Sequence, residues 1–218
     1  MTSGPAPPHR RPGQRRIGLT GGIATGKSTA GRLLRERFGV PVLDADRFAR
    51  QALAPGSPAS LKVLERYGAA VRGSDGIDRA ALGRIVFTDP RERRWLEQLI
   101  HPLVRERFAG ELERLASAPV VVLMVPLLFE AGFEPLCSEI WLVDCGEERQ
   151  LERLQARDGL GEAEARSRIA AQWPMATKRA RADLVLDNRG TVDQLAGKLR
   201  ERLRERGVAV ERTRGTTW

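Results

Sequence analysis

The stretch GGIATGKS at residues 21–28 limits what this chain can fold into more than any other. It has the G-x-x-x-x-G-K-[ST] spacing of a phosphate loop, a motif that needs a strand before it and a helix after it. Both are legible. Residues 17–20 (IGLT) read as a short buried strand, and 29–38 as a helix with Leu33, Leu34 and Phe38 on one side. The glycines let the backbone curl so that successive N–H groups (Gly22, Ile23, Ala24, Thr25, Gly26, Lys27, Ser28, Thr29) face phosphate oxygens at a helix N-terminus, where anions are favoured. In such a loop the Lys27 side chain reaches the β- and γ-phosphates of a nucleoside triphosphate and the Ser28 hydroxyl ligates Mg²⁺.

At 218 residues the chain suits one ordinary domain carrying insertions. No apolar run approaches the roughly 20 residues of a membrane span. The arginine-bearing start lacks the apolar stretch of a secretory signal. Cys137 and Cys145 have no metal spacing and are expected as reduced thiols, so a cytoplasmic protein without a membrane partner is expected. The net charge of +9 points to polyanionic partners, either nucleic acid or small phosphorylated ligands in an arginine-lined site. Aromatic residues make up only 5% and none interleaves with a basic run as a base-stacking platform, so small phosphate ligands are favoured over a specific nucleic acid.

Residues 1–14 are rich in Pro, Gly and Arg and read as a disordered basic arm. After the phosphate-loop helix, a strand at 40–43 runs into Asp44-Ala45-Asp46. Carboxylates at i and i+2 beyond a strand's carboxyl end lie at the rim of an α/β sheet, where ligands bind. Such a pair can divide the metal anchoring and hydroxyl orientation that phosphoryl transfer needs. The alternative is that Asp44 caps a helix over 46–53 and Asp46 favours its dipole.

From 54 to 116 the pattern is helical and strand-poor, with helices expected at 60–67, 78–87 and 91–115. In the last, Trp95, Leu99 and Leu103 form one row, and Leu96, Ile100, Val104, Phe108 and Leu112 the next. Pro102 predicts a kink there, or a stop and restart, with His101 at the break. This segment interrupts the strand–helix alternation and reads as an inserted subdomain. Residues 119–125 (PVVVLMV) read as a buried central parallel strand leading into 126–130 (PLLFE), without the Asp that ends a Walker-B strand. Another strand spans 140–144. The arginine-rich region 147–181 is broken by Asp158-Gly159-Leu160-Gly161, giving a helical hairpin suited to a lid. The last strand covers 183–187 and a helix 191–206 closes the fold.

Several separated motifs together resemble the dephospho-CoA kinase family over about residues 16–206. They are IGLTGGI running into GKS, Asp44-Ala45-Asp46, Ile100-His101-Pro102, residues 125–130 (VPLLFE), Arg157-Asp158, Arg168-Ile169 through Gln172, and Ala182-Asp183 through Asn188. The resemblance implies a three-layer α/β/α P-loop kinase with a five-stranded parallel sheet, a helical acceptor-binding insert and a helical lid. It implies a core from 15–53, 117–148 and 182–207, an insert at 54–116, a lid at 149–181 and a tail at 208–218. The implied reaction is ATP-dependent, Mg²⁺-assisted phosphorylation of the ribose 3′-hydroxyl of 3′-dephospho-CoA, by a monomer or weak homo-oligomer.

By the same resemblance Lys27, Asp46 and Arg157 are catalytic: Asp46 orients or deprotonates the hydroxyl and Arg157 binds the transferring phosphoryl group. Asp44 helps Ser28 hold Mg²⁺. His101, Leu127, Leu128 and Glu130, with Asp46, line the acceptor site, and Asn188 lies near the ATP adenine. Met124 stands where many relatives carry an acid, and Ala24 replaces a frequent glycine. Three rivals are a kinase for another small hydroxyl acceptor (nucleoside, nucleotide or shikimate-like), a GTP switch and a nucleic-acid-binding protein. The GTP switch is disfavoured because the sole asparagine, Asn188, is not in an Asn-Lys-x-Asp base reader.

Overall fold

A computed structural model of the protein describes residues 13–208, so the expected basic arm lies outside the described residues but for its last two, and the tail but for its first. In chain order the elements are β1 (Arg15–Gly21), α1 (Lys27–Phe38), β2 (Val42–Asp44), α2 (Ala45–Ala52), α3 (Pro58–Tyr67), β3 (Arg72–Gly73), β4 (Gly76–Ile77), α4 (Arg79–Thr88) and α5 (Pro90–Arg114). They continue with β5 (Val120–Met124), β6 (Glu139–Asp144), α6 (Glu147–Asp158), α7 (Glu162–Ala170), α8 (Met175–Arg181), β7 (Leu184–Asp187) and α9 (Val192–Glu205). Two compact units result. One takes the chain up to Leu43 and again from Leu115; the other is Asp44–Arg114. No helix among the described residues is long and apolar enough to cross a membrane.

The first unit is built on a five-stranded sheet of order β2-β5-β1-β6-β7, flanked by helices in three α/β layers. β1 is central, pairing in parallel with β5 (Ile17 opposite Val122) and with β6 (Leu19 opposite Trp141). β6 pairs in parallel with β7, which sets Asp144 beside Asp187 at the carboxyl end. On one face Ile17, Leu19, Val122, Trp141 and Val143 pack against Leu33 and Leu34 of α1 and Leu195 and Leu199 of α9. The same core holds Met124, whose Sδ would lie 2.6 Å from a Cβ at Gly31. A thioether packed against α1 is no metal ligand for a phosphate site, and the end of β5 supplies none. On the opposite face a Cβ at Gly18 would lie 2.6 Å from Cys137 Sγ and 2.7 Å from Leu128 Cδ1. Cys137 is an inert thiol, its pKa pushed up to about 12 by burial.

The second unit begins at Asp44, not at residue 54, so the acid pair and α2 travel with the helical segment. Its core joins Val63, Val71 and Leu82 to Tyr67, Trp95, Leu96 and Leu99. Phe48 of α2 meets Phe108 of α5 edge-on, with centroids 5.1 Å apart. The β3–β4 pair is a minimal antiparallel ribbon that was not expected, because two residues a side carry no alternation to read. α5 runs unbroken through Pro102, so the stop and restart does not occur. The missing proline N–H leaves the Gln98 carbonyl without its usual helical partner.

α3 and α5 are joined by a polar cluster. Arg66 grips Glu92 with Nε to Oε2 at 2.7 Å and Nη2 to Oε1 at 2.8 Å, and the Tyr67 hydroxyl donates to Glu92 Oε2 at 2.6 Å. The Arg66 guanidinium also lies 4.6 Å from the centroid of the Trp95 ring. Hydrogen bonds from Arg66 and then Tyr67 hold the Glu92 carboxyl at about 2. Burial and the bond to Glu92 push the Tyr67 phenol up to about 12. A depressed carboxyl stabilises the fold above its ordinary titration range and loses that contribution as pH falls. Melting temperatures of the wild type are therefore expected to fall from about pH 4.5 towards pH 2 more steeply than those of Glu92→Gln, as thermal melts across that range would register.

Candidate active site

The phosphate loop begins where β1 ends. Gly26 has φ 100°, a left-handed conformation open to glycine, and from it α1 starts at Lys27. No side chain caps α1 and its first turn holds no acid, so the start of the helix favours an anion. Thr25, fully buried, donates its hydroxyl to the Gly22 carbonyl at 2.9 Å and closes the loop from inside. Lys27 is half-buried at the first position of the helix, Ser28 exposed at the second and Thr29 half-buried at the third. Ala24 has φ 60°, the only left-handed non-glycine among the described residues, at a cost of about 1 kcal/mol. The replacement of glycine here is therefore a strained one.

Three side-chain amides hold the loop from outside. Ile23 N–H donates to Gln172 Oε1 at 2.9 Å, and Gln150 Nε2 donates to the Ile23 carbonyl at 2.9 Å. Asn188 Nδ2 donates to the Thr25 carbonyl at 2.8 Å, while its own carbonyl accepts from Arg153 at 3.1 Å. The N–H of Ile23 is thus held by a glutamine. Asn188 is only 6% exposed and its side-chain amide is committed to the loop, which it supports from the end of β7.

The residues expected to line the acceptor site fall into different roles. Leu128 is fully buried against Gly18, so its side chain is core and leaves that set, while Leu127 is half-buried. Glu130 Oε1 accepts from the Trp173 backbone N–H at 3.1 Å and lies 2.7 Å from Nζ of Lys178, which is 0% exposed. The two charges meet at ion-pair distance but off hydrogen-bond angle, and Glu130 Oε2 has no hydrogen-bond partner. Glu130 thus anchors the segment that carries Gln172. Lys178 is thus a buried cation within the arginine-rich region 147–181.

The lid reading places Arg157 at the end of α6, followed by Gly159 with φ 67° and then α7. Its guanidinium forms a two-pronged bond to Asp158, at 2.7 and 3.0 Å, and Asp158 also takes Arg168 at 3.3 Å. The Asp158 contact raises the Arg157 pKa. A cleft of about 360 Å³ at the ends of β6 and β7 is walled by two ion pairs, Arg179–Asp144 at 2.6 Å and Arg189–Asp187 at 2.9 Å.

In the Asp44–Arg114 unit, Asp44 Oδ1 accepts from the N–H of Asp46 at 2.9 Å and of Arg47 at 3.4 Å. It is the N-cap of α2, as the alternative reading had it. Asp46 is exposed in the first turn. His101 is half-buried, and burial lowers its pKa from the ordinary 6.5, so it is neutral near pH 7. A cleft of about 440 Å³ in this unit is lined by Phe48, Gln51, Ser57, Leu103 and Arg107, among others.

The Glu130–Lys178 pair yields a direct test. Removing one partner of a buried pair leaves the other charge without compensation, so Glu130→Ala is expected to lower stability by about 3 kcal/mol. Adding Lys178→Met should recover most of that loss, which denaturant melts of the wild type, the single variant and the double variant would measure.

Comparison with known proteins agrees with this geometry. The dephospho-CoA kinase family model matches residues 15–194. A dephospho-CoA kinase of Synechococcus sp. (strain CC9605) is 66% identical over 179 residues, covering 81% of this chain and 86% of that protein. One from Parasynechococcus marenigrum (strain WH8102) is 61% identical over 206 residues, covering 94% of this chain and 100% of its own. Among solved structures, the dephospho-CoA kinase from Campylobacter jejuni is 25% identical with a TM-score of 0.65, covering 87% of this chain and 96% of that one. The chain belongs to the dephospho-CoA kinase family.

Proposed function

We propose that the protein transfers the γ-phosphoryl group of ATP to the ribose 3′-hydroxyl of 3′-dephospho-CoA, giving CoA and ADP in the last step of coenzyme A biosynthesis. The observation that carries the donor half is the uncapped start of α1 behind a left-handed Gly26. The family match over residues 15–194 supports the acceptor half. The alternative is a P-loop kinase for another small hydroxyl acceptor. A cytoplasmic setting accords with Cys137 and Cys145, both free thiols.

In this reading the first-turn N–H groups of α1 and the Lys27 ammonium neutralise the triphosphate and hold it in line for transfer. Asp46 accepts a hydrogen bond from the acceptor hydroxyl and takes its proton as the new P–O bond forms. Arg157 exchanges Asp158 for the transferring phosphoryl group. One two-pronged contact to an anion is traded for another, which the planar guanidinium suits equally. Ser28 and Asp44 fit Mg²⁺ as hard oxygen donors. An ion carried on nucleotide phosphates keeps most of its waters and needs few protein ligands. Held by Ser28 and Asp44, Mg²⁺ would supply charge neutralisation at the phosphates. The cleft at Phe48, Leu103 and Arg107 suits the long pantetheine arm of the acceptor, with His101 of the same unit as a further contact.

An ADP-release assay over a panel of acceptors tests the substrate: dephospho-CoA must exceed the no-acceptor control, and nucleosides and shikimate must not match it. Lys27→Ala and Asp46→Asn are both expected to abolish turnover, with ATP binding retained in Asp46→Asn. Arg157→Ala should lower kcat more than it raises the KM for dephospho-CoA. Leu103 is 37% exposed, so Leu103→Asp spares the core and is expected to raise the KM for dephospho-CoA about tenfold with the KM for ATP unchanged.

A further inference from the structure

Both polar groups of the Ile23 backbone are taken by glutamine side chains that come from far along the chain. Gln172 Oε1 receives the N–H and Gln150 Nε2 donates to the carbonyl, each at 2.9 Å. The chemistry fixes which end of each amide faces the loop, since an N–H needs an acceptor and a carbonyl a donor. Gln150 is only 2% exposed. A Cβ at Gly22 would lie 2.6 Å from Gln150 Nε2 and 3.1 Å from Met175 Sδ, so the loop is seated directly on these groups.

The next residue, Ala24, has φ 60°. Rotating the Ile23–Ala24 peptide plane would let Ala24 relax out of the left-handed region, and would turn the Ala24 N–H away from the phosphates. Gln150 opposes that rotation because it holds the carbonyl of this peptide, and Gln172 holds the preceding peptide by the Ile23 N–H. We propose that Gln150 and Gln172 are positioning residues for the phosphoryl donor: they clamp the Ile23 peptides and so hold the strained loop ready before nucleotide arrives. Gln172 is itself placed by its neighbour, since the Trp173 N–H is bound to Glu130.

This inference rests on the loop being the ATP site, and the test separates the two. Gln150→Met, which keeps the length and removes the donor, tests the peptide that precedes Ala24, and Gln172→Met, at a half-exposed position, tests the other without entering the core. Calorimetric titration with ATP is expected to show affinity about fivefold weaker than wild type in each, the worth of one hydrogen bond, with the KM for dephospho-CoA unchanged. In an Ala24→Gly background, where no left-handed strain needs opposing, Gln150→Met should cost about twofold or less, while Gln172→Met keeps its full loss. A purely structural role would lower the melting temperature without that dependence on residue 24. Unchanged ATP affinity in both variants, or a loss in Gln150→Met that is equal in both backgrounds, beside a wild type that binds ATP, would overturn the inference alone. A wild type that does not bind ATP would overturn the donor assignment and this inference with it.

Discussion

An α-helix leaves its first N–H groups without partners inside the helix, and a fold must either cap them or use them. In this protein α1 is not capped by a side chain of its own, and it starts from a glycine in a conformation that few other residues tolerate. The rest of the first unit can be read as support for that helix start. β1 feeds it from the middle of the sheet, where strands on both sides fix its height and direction. Leu33 and Leu34 sink the body of α1 into the core. Gln150, Gln172 and Asn188 then hold the turn between strand and helix by its backbone.

The high positive charge has a plainer explanation than its size suggests. Arg166 pairs with Glu162, Arg168 with Glu164 and Arg202 with Glu205, at one-turn spacing along exposed helices. Such pairs add little stability and mark solvated faces. The cation that matters most to the interior is Lys178, which sits among these arginines in sequence and at 0% exposure in the fold. Charge counting cannot separate it from its neighbours, because what sets it apart is a partner forty-eight positions away (Glu130 to Lys178).

That contrast explains what could be read in the chain. Buried parallel strands are continuous apolar runs, so PVVVLMV and IWLVD announced β5 and β6, and the phosphate-loop spacing announced β1 and α1. Local chemistry was also legible. Asp44 as an N-cap and Gly159 as the left-handed end of α6 are decided by residues within one turn of them. The glutamine clamp was not, since Gln150 and Gln172 stand 127 and 149 positions from Ile23 and an amide on a polar helix carries no periodic signal. Leu128 was assigned to the acceptor because of the motif it belongs to, and only the packing around Gly18 shows that its side chain has no room to leave the core. Sequence read the scaffold and the donor loop well because their physics is local. It read poorly the side chains that hold the loop from a distance.

Gly18 itself sets a limit on how this sequence can drift. It lies in the central strand, with Cys137 and Leu128 filling the space a side chain would need. No substitution there can be accommodated unless both of those side chains shrink or move. Three positions scattered along the chain are therefore tied by one small volume, and a side chain can enter at residue 18 only where residues 128 and 137 have given it room.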